Sequence, residues 1–85
     1  MAVTYRRFLR LKLQVDASHA VGARAQRISA QVEEEGGLDA RARTLIVHDI
    51  GAAYVTEDEA RTPDALANLS DAELIRELVR AEAMA

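Results

Sequence analysis

Between Leu9 and Val15 every second residue is apolar: Leu9, Leu11, Leu13 and Val15 alternate with Arg10, Lys12 and Gln14. Successive side chains of a strand point to opposite faces, so this strict alternation predicts a half-buried strand from about Thr4 to Val15. Arg10 and Lys12 then face solvent, where cations discourage edge-to-edge association. A strand here commits the chain to a sheet. The alternative is a helix, because Phe8, Leu11 and Val15 also share a helical face.

Downstream, Val21, Ala25, Ile28 and Val32 recur at spacings of four, three and four, the apolar stripe of a helix. Asp16 or Ser18 can cap it, and Gly36–Gly37 ends it. Glu33, Glu34 and Glu35 stand at the negative end of its dipole. Either the helix stops near Val32, or these acids have a cationic partner elsewhere. Thr44–His48 and Ala52–Thr56 read as two short strands joined by a turn at Asp49-Ile50-Gly51. A continuous helix from Asp39 to Val55 competes with this hairpin, since Leu38, Ala42, Leu45 and Ala53 share a face.

Helix-start signals crowd the last third: Thr56 to Glu59, Thr62-Pro63, and Ser70-Asp71-Ala72-Glu73 as a capping box. Leu74, Ile75, Leu78 and Val79 form the apolar face of a helix from Asp71 to about Ala83. Glu73 with Arg76, and Glu77 with Arg80, can pair on its outer side. The expected architecture is a small α+β domain of order β-α-β-β-α. A three-stranded, mainly antiparallel sheet carries two main helices on one face. The fold becomes mostly α if residues 39–55 are helical.

The 85 residues make one domain, 1–85, with a thin core. Seventeen residues are alanine, only twenty-one are Leu, Ile, Val or Phe, and there is no Trp. An oligomer or a partner would add useful burial to so small a core. Net charge is −3, unevenly spread. Residues 1–32 hold six basic side chains and one acidic one, while residues 33–85 hold five basic and thirteen acidic ones. Such asymmetry suits two halves that attract each other within or between chains.

Absence of cysteine excludes disulfide scaffolds, thiolate zinc sites, iron–sulfur clusters and cysteine nucleophiles. The longest apolar run, Ala52 to Val55, is far too short to span a membrane. Behind Arg6, Arg7 and Arg10 the apolar positions are broken by Lys12 and Gln14, unlike a secretory signal. The expected location is the cytoplasm. His19 lies three residues after Asp16, and His48 adjoins Asp49, but neither pair belongs to an established metal-ligand pattern. Ser18, Ser29 and Ser70 lack a nucleophile-elbow context. Glu33–Glu35 and Glu57–Glu59 are runs of acids that ordinarily stay solvated, and no phosphate-loop pattern occurs. No metal, cofactor, small-molecule substrate or catalytic constellation is expected.

Two binding readings are left. In the first, the chain is a non-enzymatic protein-binding, regulatory or assembly protein, acting as a homo-oligomer or as an accessory subunit of a larger complex. Its interface is then the terminal-helix face of Leu74, Ile75, Leu78 and Val79, unless that face closes on the chain's own core. In the second, Arg6, Arg7, Arg10 and Lys12, joined by Arg24 and Arg27, contact nucleic acid or an acidic partner. The acidic total and the lack of a recognition motif count against nucleic acid.

Overall fold

A computed structural model describes residues 1–15, 20–53 and 63–84. Among the described residues five helices follow one another: α1 (Tyr5–Gln14), α2 (Val21–Glu34), α3 (Ala40–Ala53), α4 (Pro63–Ala67) and α5 (Asp71–Met84). Among the described residues there is no strand or sheet, only an isolated parallel bridge between Val3 and Leu38. The expected three-stranded α+β arrangement is therefore wrong, and the mostly α alternative holds.

The first correction falls on Leu9–Val15. Thr4 caps α1, its Oγ1 accepting a hydrogen bond from the Arg7 N–H at 3.2 Å. Phe8 and Leu11 are buried, with Tyr5 and Val15 packed beside them. Leu9 and Leu13 point outward. The alternation is thus two helical stripes read together, one facing the core and one facing solvent.

The second correction falls on the hairpin. Asp39 caps α3 by accepting from the Ala42 N–H at 2.7 Å, and Ala42, Ile46 and Ile50 make the buried face at four-residue spacing. Asp49, Ile50 and Gly51 continue the helix instead of turning the chain. Burial of two isoleucines on one face outweighs the local β preference of the β-branched residues.

The α2 stripe is as expected, with Ala25, Ile28 and Val32 buried. Asp16 and Ser18, offered as its caps, lie outside the described residues, and Ala20 occupies the N-cap without a side-chain bond. Gly36 and Gly37 end the helix at φ +103° and +82°. Gly36 N–H donates to the Glu33 carbonyl (3.1 Å) and Gly37 N–H to the Val32 carbonyl (2.9 Å), a Schellman closure. The capping box of α5 also forms: Ser70 Oγ accepts from the Glu73 N–H at 3.2 Å, and Glu73 Oε1 accepts from the Ser70 N–H at 3.3 Å.

α5 is the hub, packed against both α2 and α3. Leu74, Ile75, Glu77, Leu78, Val79 and Ala81 are all buried, more than half of its girth. Glu77 is therefore not on the outer side with Arg80, as its spacing suggested. The Thr56–Glu59 signal, Thr62 and His19 lie outside the described residues.

Candidate functional site

Each sequence-derived interface residue has a definite place. Leu74 and Ile75 are 0 % exposed, and Leu78 and Val79 are 1 % exposed. This is the closure of the terminal helix on its own core. Any partner of the folded chain must be met by another surface.

The six N-terminal cations do not form one patch. Arg7 forks onto Glu35 with Nε to Oε1 and Nη2 to Oε2, both 2.9 Å. Lys12 Nζ pairs with Glu82 Oε1 at 2.6 Å and sits 5.9 Å above the Phe8 ring. Arg24 is half-buried on α2, and Arg27 is exposed beside a cleft of about 430 Å³ between α1 and α2. Arg6 and Arg10 are exposed on α1 and make no ion pair among the described residues.

The three polar anchors of α1 fix which way it faces. Arg7 turns one edge toward Glu35 at the end of α2. The Tyr5 hydroxyl donates to Asp49 Oδ2 of α3, and Lys12 reaches Glu82 of α5, which hold the other edge. The bond to the Asp49 carboxylate, with burial, pushes the Tyr5 hydroxyl up to about 12, so it stays a donor at every ordinary pH. With Phe8 and Leu11 turned inward, Arg6, Leu9, Arg10 and Leu13 are left facing solvent. Their spacing (i, i+3, i+4, i+7) makes one stripe about 10 Å long. Leu9 is 36 % exposed and Leu13 86 %. The leucines lie on the α3 and α5 side of this stripe and the arginines on the α2 side.

The sequence alternation hides this face, because it groups Leu9 and Leu13 with Leu11 and Val15 as one buried set. The signal that finds it is Thr4 as a cap, which converts residues 5–14 to helical spacing.

His48 is 80 % exposed, with Nδ1 4.0 Å from Asp49 Oδ1, and Asp49 is already engaged by Tyr5. Among the described residues no group of three His, Asp or Glu is placed to hold a metal ion. A second cleft of about 550 Å³ is lined by Ser29, Glu33, Gly36, Gly37, Ser70 and Asp71. It lies over the helix-ending turns and holds no histidine or cysteine. No helix among the described residues is long and apolar enough to cross a membrane. Compared with protein-family models, curated proteins and solved structures, the chain matches none of them.

Proposed function

We propose that the protein is a non-enzymatic binding, regulatory or assembly protein, acting in the cytoplasm, and that it associates through the outward face of α1. The observation that carries this reading is Leu13, 86 % exposed and one turn from Leu9, in a chain that has few large apolar residues to spare. Arg6 and Arg10 border the same stripe without carboxylate partners among the described residues. Apolar contact at the centre with charged groups at the rim is the usual make-up of a protein interface. Phosphate contact by the full N-terminal cation set is less favoured, because Arg7 and Lys12 are engaged by Glu35 and Glu82.

A photo-crosslinking residue placed at Leu13, with Gln26 on α2 as the exposed control position, tests the reading in the producing cell. The expected result is a discrete adduct, with another copy or another protein, from position 13 alone. Leu9→Ser in the same chain removes it. Equal background from both positions overturns the proposal.

A further inference from the structure

We infer that the outward face of α1 receives an acidic amphipathic helix of a protein partner, whose apolar stripe lies on Leu9 and Leu13 and whose carboxylates meet Arg6 and Arg10. This rests on the reading of that face as the docking surface, and it adds the chemistry of what docks.

Charge decides the occupant. Every polar anchor on the inward edges of α1 already has a carboxylate: Arg7 has Glu35, Lys12 has Glu82 and Tyr5 has Asp49. Arg6 and Arg10 stand on the outward face, four residues apart, and have no carboxylate partner among the described residues. One turn of a facing helix therefore presents two acids to them. The stripe is about two turns long, which matches the anchor pattern of a helix seated by i, i+3, i+4 and i+7 contacts.

Other occupants fit less well. A second α1 brings no acid, since Tyr5 to Gln14 holds none, and pairing it with the first adds only arginines to arginines. A nucleic acid or an anionic bilayer is wider than the stripe. It would meet Glu35 and Glu82 at the two edges of α1, on a chain of net charge −3. Those carboxylates already neutralise Arg7 and Lys12, so a broad anionic surface finds only Arg6 and Arg10 unpaired on α1 among the described residues. A narrow helix touches the four outward residues alone.

The probe is a fluorescein-labelled 14-residue helical peptide with leucines on one stripe and glutamates flanking it. A matched peptide carries lysines in place of the glutamates. Fluorescence anisotropy is read at about 50 and 150 mM salt, a range over which surface charge contacts weaken. The glutamate peptide is expected to bind at least tenfold more tightly than the lysine peptide. Arg6→Glu with Arg10→Glu should abolish or reverse that preference, and Leu13→Ser should weaken the glutamate peptide several-fold. All three substitutions are on exposed residues, and circular dichroism checks that the helices are retained.

Equal binding of the two peptides, or indifference to the arginine reversal, overturns the inference. So does tighter binding of phosphatidylserine vesicles or of random-sequence oligonucleotides that depends on the same arginines. Sedimentation showing a dimer of the unmodified protein that Arg10→Glu breaks assigns the face to a second copy, and also overturns it. A crosslink from position 13 that persists while the peptides bind equally leaves the docking surface standing and removes only its acidic partner.

Discussion

Arg7 and Glu35 are twenty-eight residues apart and joined by two parallel hydrogen bonds of 2.9 Å, one from Nε and one from Nη2. A bidentate fork fixes both distance and angle, so it sets how α1 lies against the end of α2. Gln31 Nε2 donates to the same carboxylate at 2.6 Å. The pair answers the charge conflict in the sequence. Glu35 sits at the unfavourable end of the helix dipole because a guanidinium arrives there from another element.

Those donors hold the Glu35 carboxyl down at about 2, the Arg7 fork first and Gln31 second. A carboxyl whose pKa is depressed on folding stabilises the native state above its unfolded value, and this is lost as pH falls toward the folded one. The stabilisation from Glu35 should therefore be complete above about pH 4.5 and fade between there and about pH 2. Urea melts across that window should show the loss in the unmodified protein and a smaller one in Glu35→Gln. In Arg7→Met, NMR titration should find the Glu35 carboxyl moved up toward its ordinary value.

Glycine positions should respond in opposite directions. A Cβ at Gly36 would stand 2.5 Å from the Met1 carbonyl oxygen, at φ +103°. Gly36→Ala should cost about 1–3 kcal/mol in a urea melt, from strain and the displaced N-terminus. Gly22 is helical, and nothing lies within 4 Å of its added Cβ. Gly22→Ala should raise stability by about 0.5–1 kcal/mol.

The two leucine sets should separate cleanly. Leu78 is 1 % exposed in the core, so Leu78→Asp should unfold the chain, read as loss of helical circular dichroism. Leu78→Ala should cost about 2–5 kcal/mol, a large share of the stability of a domain this size. Leu13→Asp should leave the melt within about 0.5 kcal/mol of the unmodified protein.

Asp71 ties three segments together. Its Oδ2 accepts from the Leu38 N–H at 2.9 Å, and its Oδ1 takes Arg43 Nη1. Arg43 Nη2 in turn donates to the carbonyls of Leu69 (2.5 Å) and Ala67 (3.2 Å). Removing either partner leaves donors or acceptors stranded, so Arg43→Met and Asp71→Ala should each cost about 1–3 kcal/mol. A double-mutant cycle in urea should show the two losses overlapping by about 1 kcal/mol or more.

The readable parts of the sequence were those whose signal is local. The capping box at Ser70–Glu73, the glycine pair after α2 and the stripes of α2 and α5 all depend on neighbours within a turn or two, and all are present. Leu9–Val15 misled because an outward leucine pair interleaves with an inward one, and residue type does not say which face is wet. Thr44–His48 misled because β-branched side chains favour strands locally, while Ile46 and Ile50 are held in a helix by long-range burial against the rest of the core. The docking face inherits the first of these errors. Arg6 and Arg10 stand out in the sequence as cations, but the alternation places their neighbours Leu9 and Leu13 in the interior.

The helix against which α2 and α3 close is also the last of the described helices in chain order. During synthesis the apolar faces of α2 and α3 leave the ribosome before the helix they close on, with only α1 ahead of them to pack against. At about 5–20 residues per second, the fifty residues from the end of α2 to the end of α5 take roughly two to ten seconds to follow. The nascent chain therefore stays sticky until α5 has been made. A stop before α5 releases a product with exposed isoleucines and valines, a natural client for chaperones and proteases.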